Sequence, residues 1–269
     1  MAKPAKGRKN FSKKTAAPAS LAAVFGIHAV TSLLKHRAGQ VSELWVQQGR
    51  EDARLQALVE EAGQLQIPVV TKEREQLDQQ TAGVHQGVLA WAQPRQAGSE
   101  KDLEDLLENL EATPLLLVLD GVTDPHNLGA CLRSAEAAGA HAVITTKDKS
   151  AGLNPTVRKV ACGAAETLPL IQVTNLARTL RSLADYGIWI LGTAGETPTQ
   201  VYQADLARPL ALVMGAEGKG MRRLTREHCD QLVALPMAGE VSSLNVSVAT
   251  GIVLYEAVRQ RLPEGGAAE

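Results

Sequence analysis

Between Val241 and Arg261 the chain reads V-S-S-L-N-V-S-V-A-T-G-I-V-L-Y-E-A-V-R-Q-R. The second half reads as a buried helix, with Val248, Ile252, Tyr255 and Val258 at helical spacing. The first half crowds Ser242, Ser243, Asn245 and Ser247 into the place where that helix should begin. Such side chains satisfy the orphan N–H groups of a first turn, but a cap needs only one of them. The surplus hydroxyls and amide, beside the positive end of a helix dipole, suit a carboxylate or a developing oxyanion. An over-capped structural helix is the other reading of the same residues.

Other residues suited to chemistry fall at the ends of apolar runs. In open α/β sheets, ligands sit beyond the carboxyl ends of the strands. The run ending at Asp120 leads into D-G-V-T-D-P-H-N-L-G-A-C-L-R. Here Asp124-Pro125 reads as a turn and Asn127 as the cap of the next helix. Arg133, nearly two turns on, would reach back to that cap and offer a forked contact to a phosphate. A surface arginine on a capped helix is the plainer alternative. Gly192 to Glu196 (G-T-A-G-E) would let a ligand approach the backbone. Met214 to Met221 (M-G-A-E-G-K-G-M) is glycine-rich, yet it matches neither the dinucleotide fingerprint nor a P-loop. Leu235 to Gly239 (L-P-M-A-G) runs straight into the serine-rich stretch. Together these predict a pocket of backbone and glycine with few charges, better suited to a flat, neutral adenosine than to a triphosphate. The six histidines form no metal-ligand cluster, so no metal is expected.

The elements that must hold these residues follow from periodicity. Val24 to His36 reads as one amphipathic helix, Val41 to Val46 as a strand and Asp52 to Ala62 as a helix. Ile67 to Val70 (strand), Lys72 to Gln79 (short helix) and Gly87 to Ala92 (strand) complete a small α/β unit over 21–93. Residues 94–112 read as a linker and a connecting helix, Asp102 to Leu110. From 113 to 262 the pattern becomes that of a parallel sheet. Leu115 to Leu119 is a continuous apolar run, as in strands buried on both faces. Helices at Leu128 to Ala138 and Asn154-Pro155 to Cys162 alternate with strands. Those strands lie at His141 to Thr145, Leu168 to Val173, Ile188 to Leu191, Leu210 to Met214 and Leu232 to Leu235. Residues 263–269 read as a flexible tail.

Charge is unevenly placed. Lys3, Lys6, Arg8, Lys9, Lys13 and Lys14 give residues 1–20 six positive charges and no acid, leaving 22 basic against 29 acidic residues elsewhere. A disordered basic arm that meets phosphates is expected. Aromatic residues are only 3% of the chain, which argues against an RNA-recognition sheet that stacks bases. No apolar run approaches the roughly 20 residues of a membrane span. Cys131, Cys162 and Cys229 are widely spaced, with no disulfide or zinc pattern, and fit a reducing cytoplasm.

N-L-G-A-C-L-R, V-M-G-A-E-G-K-G-M and L-P-M-A-G-E-V-S-S-L-N-V-S-V-A-T-G-I resemble, in order, the three motifs of the SpoU/TrmH family of RNA ribose 2'-O-methyltransferases. G-I-H-A-V-T-S-L-L and V-H-Q-G-V resemble the family's N-terminal RNA-binding domain. The resemblance spans residues 24–261 and implies an α/β chain with a C-terminal SPOUT domain. In that fold a parallel sheet carries a deep trefoil knot. The small N-terminal domain would resemble ribosomal protein L30e. It implies a homodimer whose active sites draw on both chains, with no membrane and no metal. S-adenosylmethionine would contact Thr193, Gly195, Gly215, Leu235, Met237 and Leu244. Asn127, Arg133, Glu217, Ser243 and Asn245 match the polar catalytic set. The branch resembled most methylates a guanosine in the P-loop of 23S rRNA, in the peptidyl transferase region. A tRNA ribose methyltransferase and a non-catalytic rRNA-binding assembly factor are the alternatives. An arginine with pKa above about 12 stays protonated. Arg133 is therefore read as stabilising a developing alkoxide, with Asn127 orienting it.

Overall fold

The computed structural model describes residues 21–50, 52–81 and 84–262. The basic arm (1–20) and the tail (263–269) lie outside the described residues.

The first unit runs β1 (Ala22–Phe25), α1 (Ile27–Arg37), β2 (Val41–Gln47), α2 (Ala53–Gln64), β3 (Val69–Lys72), α3 (Arg74–Asp78) and β4 (Val88–Ala92). Its sheet has the order β1-β4-β2-β3, antiparallel except for the β2–β3 pair. Helices α1 and α2 cover one face, where Val30, Leu33, Leu34, Leu44, Leu58 and Ala90 form a core. Trp45, Leu77, Leu89 and Trp91 pack on the other. The sequence predicts one helix from Val24, but the chain forms strand β1 first. Gly26, at φ 91°, turns it into α1, and its N–H bonds the carbonyl of Val88 at 3.3 Å. A four-residue apolar run looks alike at the start of a helix and in an edge strand, so only the glycine marked the break.

After α4 (Glu100–Glu108) comes the second unit. It runs β5 (Leu115–Asp120), α5 (Pro125–Ala137), β6 (Ala142–Thr146), α6 (Pro155–Ala161), α7 (Ala164–Thr167), β7 (Leu170–Val173) and α8 (Leu176–Asp185). Then follow β8 (Trp189–Thr193), β9 (Leu210–Gly215), α9 (Arg223–Glu227), β10 (Gln231–Val233) and α10 (Val246–Arg261). The sheet has the order β10-β8-β9-β5-β6-β7 and is parallel throughout. Every residue of β5 is buried. Leu117 and Leu119 face a core shared with α5 and α10, and Leu116 and Val118 face a core shared with α4 and α8. Alternation on a strand buried on both faces produces the continuous apolar run. The chain runs outward along β5, β6 and β7, then returns to lay β8 and β9 on the other side of β5. That reversal is a topological switch point, where a crevice opens beyond the strand ends.

Helix α4 starts earlier than expected because Ser99 and Asp102 form a capping box around its first turn. Helix α5 also starts earlier. Asp124-Pro125 is a cap plus N1 proline, with Asp124 Oδ1 accepting from the His126 N–H at 3.1 Å. Asn127 is thus inside the helix and does not cap it. On α10 the buried residues are Val246, Thr250, Val253, Leu254, Glu256 and Ala257. Val248 and Tyr255, expected on the buried face, are more than half exposed (51% and 53%). The helix is apolar nearly all round, so spacing alone cannot choose the face that meets the sheet.

Candidate active site

The crevice is a cavity of about 410 Å³ enclosed by the ends of β8 and β9, the segment after β10 and the approach to α10. Thr193, Gly195, Gly215, Leu235, Met237 and Leu244 all line it. Ser242, Ser243 and Glu217 line it too, and Glu217 is the one ionisable side chain to do so among the described residues.

Its wall is a glycine loop folded tightly on itself. Ala216 and Gly220 exchange both backbone hydrogen bonds, at 3.1 and 2.8 Å. Gly218 and Gly220 take positive φ (75° and 65°), and a Cβ on Gly215 would lie 2.3 Å from Gly220 C and Met221 N. No side chain fits there, so the backbone itself forms the surface. Asp120, buried at the end of β5, holds the far side of the loop: its Oδ2 accepts from the Arg222 N–H at 2.7 Å. The Arg222 Nε stands 3.1 Å from Oδ1, off the line of a hydrogen bond. Sequence reasoning missed this pin. Its only signal was a carboxylate closing an otherwise apolar strand.

Asn245 caps α10. Its Oδ1 accepts from the Ser247 N–H at 2.9 Å and from the Ser247 hydroxyl at 2.7 Å. Its Nδ2 donates to Asn127 Oδ1 at 3.0 Å, and Asn127 Nδ2 donates to Glu217 Oε2 at 3.5 Å. One polar chain therefore joins three distant segments at the rim of the cavity. Ser242 and Ser243 do not cap.

Arg133 stands apart from this chain. It is exposed, with Nη1 3.5 Å from Cys162 Sγ at the end of α6. No hydrogen bond joins it to Asn127, contrary to expectation. At about 100° per helical residue, six positions carry a side chain some 240° around the axis, so the two point to different sides of α5.

A buried thiol, Cys131, and a half-buried one, Cys229, flank the region. Burial pushes Cys131 up to about 11, and burial with the nearby Asp230 carboxylate pushes Cys229 up to about 12. Neither is a ready nucleophile at neutral pH. In the Gly192–Glu196 loop, a hydrogen bond from Arg226 holds the Glu196 carboxyl below its usual range. Among the described residues no group of three His, Cys, Asp or Glu side chains is placed to hold a metal ion.

A glycine-walled crevice at the switch point of a parallel sheet, rimmed by amides and hydroxyls, defines an α/β domain that binds a nucleoside-type ligand, here joined to a smaller α/β unit. Residues 114–255 match the model of the SpoU rRNA Methylase family, and residues 23–97 match that of the RNA 2'-O ribose methyltransferase substrate-binding domain. This chain belongs to the SpoU rRNA methylase family. It is 62% identical over 240 residues to the 23S rRNA (guanosine-2'-O-)-methyltransferase RlmB of Pseudomonas aeruginosa, covering 89% of this chain and 97% of that one. The Escherichia coli K12 protein of the same name is 58% identical over 239 residues, covering 88% and 98%. Among solved structures, the SpoU methyltransferase AviRb from Streptomyces viridochromogenes, in complex with AdoMet, superposes with a TM-score of 0.73. It is 26% identical, covering 90% of this chain and 91% of that chain.

Proposed function

We propose that this protein transfers a methyl group from S-adenosylmethionine to the ribose 2'-hydroxyl of a guanosine in 23S rRNA. Close identity to proteins named for that reaction supports the substrate. The observation that carries the chemistry is the glycine-walled crevice whose rim unites Asn127, Glu217 and Asn245.

The residues fit the cofactor. Gly215 lets the glycine loop close on itself, since a Cβ there would lie 2.3 Å from Gly220 C and Met221 N, and the closed loop lines the cavity with backbone. Thr193, Gly195, Gly215, Leu235, Met237 and Leu244 are proposed to hold the adenosine, largely through backbone. When bound, the sulfonium supplies an electrophilic methyl group. The 2'-hydroxyl is a poor nucleophile, so the protein must position it and stabilise the charge it develops. Asn127, Glu217, Ser243 and Asn245 orient donors and acceptors at the rim, and Arg133 is proposed to stabilise the developing alkoxide. Because Arg133 does not line its own crevice and stands beside Cys162 instead, this role fits a homodimer in which each site draws on both chains. The exposed Val248–Tyr255 stripe of α10 is an apolar face available for such a contact.

The remaining proposals follow the family. They are a trefoil knot in 113–262, an RNA-binding domain over 21–93 joined through 94–112, a P-loop target, and a cytoplasmic location. No helix among the described residues is long and apolar enough to cross a membrane. The test is methyl transfer in vitro. The protein, radiolabelled S-adenosylmethionine and transcripts of 23S rRNA domain V or tRNA are mixed, and the product is digested to nucleosides. Label in 2'-O-methylguanosine from the 23S transcript alone supports the reading. Label confined to tRNA moves the protein to another substrate. Cofactor binding without transfer to either, or no binding, removes the enzyme reading.

A further inference from the structure

Glu166, buried where the two α/β units meet, is surrounded by three arginines. Its carboxylate pairs with Arg37 of α1 and Arg158 of α6. Its main-chain carbonyl accepts from Arg95 Nη1 at 2.6 Å. Arg158 Nη2 donates to the Arg95 carbonyl at 2.7 Å, and Arg37 Nη2 donates to the Gln93 carbonyl at 2.8 Å. Arg37 and Arg158 are thus committed through both terminal nitrogens. Arg95 uses only Nη1, and its Nε and Nη2 have no partner among the described residues.

Three guanidinium groups against one carboxylate leave a surplus of two positive charges. The carboxylate side chain is 2% exposed, and Arg37 and Arg158 are 11% and 13% exposed. Half-buried cations without counter-charge are unfavourable. Accordingly, loss of water and the neighbouring Arg37 push Arg95 below the usual arginine range, with Arg158 adding to the repulsion. A cleft of about 580 Å³ opens over the cluster, bordered also by His36, Gln40 and Thr167, and among the described residues Glu166 is the one carboxylate that lines it. Arg158 is four residues before Cys162, whose sulfur touches Arg133.

We propose that this cleft binds one backbone phosphate of the substrate RNA at the seam between the domains. The open edge of Arg95 makes the forked contact, and Arg37 and Arg158 supply surrounding charge. The proposal rests on the RNA methyltransferase reading and adds a contact where an RNA held by the small domain crosses to the catalytic one. Gly163 makes the seam close enough: a Cβ there would meet Ala29 Cα at 3.1 Å.

The test is the salt dependence of binding, with full-length protein and a 23S rRNA domain V fragment, read by fluorescence anisotropy from about 0.05 to 0.3 M KCl. Arg95→Gln should weaken binding about three- to tenfold at low salt and flatten the log–log salt slope by about one. Arg95→Lys should keep most of the slope. Calorimetric titration with S-adenosylmethionine should be unchanged in both. An Arg95→Gln slope equal to that of the wild type overturns the proposal, even with weaker binding, because the loss would then be structural. If Arg95→Gln loses cofactor binding through misfolding, the wild type decides: phenylglyoxal should modify Arg95, and the RNA fragment should protect it. Equal modification with and without RNA also overturns the site. A wild type that neither binds nor methylates the fragment defeats the functional reading instead.

Discussion

Gly215→Ala tests whether the crevice wall is what binds the cofactor. The new Cβ would sit 2.3 Å from Gly220 C and Met221 N, against about 3.5 Å for a comfortable contact. Both are main-chain atoms, so no rotamer relieves the clash, and the loop must open by about 1 Å. That movement breaks the paired Ala216–Gly220 hydrogen bonds of 3.1 and 2.8 Å. At about 0.5–1.5 kcal/mol each, holding the loop closed around a ligand then costs about 1–3 kcal/mol more. Affinity for S-adenosylmethionine should fall by roughly five- to 150-fold, read by isothermal calorimetry. Gly63→Ala, on α2 with open space around its Cβ, should leave affinity unchanged. Gly215→Ala binding the cofactor within about twofold of the wild type would refute the assignment of this loop as the wall.

Asn245→Ala should lower the stability by about 1 kcal/mol, as lost caps do, and should also slow single-turnover methylation by tenfold or more, because its amide holds Asn127. A destabilised but fully active variant would reduce Asn245 to a cap. Ser247→Ala disturbs the same cap, since the Ser247 hydroxyl donates to the same Oδ1. Arg133→Lys should lose turnover with cofactor affinity retained, because a point charge does not replace the fork; near-normal turnover would remove Arg133 from the mechanism. Iodoacetamide at pH 8, followed by mass spectrometry, should label exposed Cys162 before Cys131 and Cys229, whose raised thiols hold their protons. For these two the folded state binds protons more tightly than the unfolded chain. Their contribution to stability should therefore be complete below about pH 8.5 and decline as pH rises.

Most of the scaffold was legible because its signals are local. Leu115 to Leu119 announced a strand buried on both faces, and Asn154-Pro155 announced a cap that the structure contains, with Asn154 Oδ1 accepting from the Val157 N–H. The glycines of 192–196 and 214–221 foretold a backbone-walled crevice, and the six residues expected to hold the cofactor all line it. What stayed hidden depends on direction or on distance along the chain. The side of α5 that Arg133 occupies follows from helical phase, which a count of turns blurs. The face of α10 that meets the sheet is invisible in a helix apolar nearly all round until its last turns. The Asp120–Arg222 pin and the Arg37–Glu166 pair join residues 102 and 129 positions apart, and no short motif records them.

The most direct measurement is a map of ribose 2'-O-methylation across total RNA from a strain lacking this protein, beside its parent and a complemented strain. The account predicts the loss of one methyl group, on a guanosine of 23S rRNA domain V, restored by the wild-type chain and not by Arg133→Ala. An unchanged 23S rRNA pattern, or a loss confined to tRNA, would contradict it.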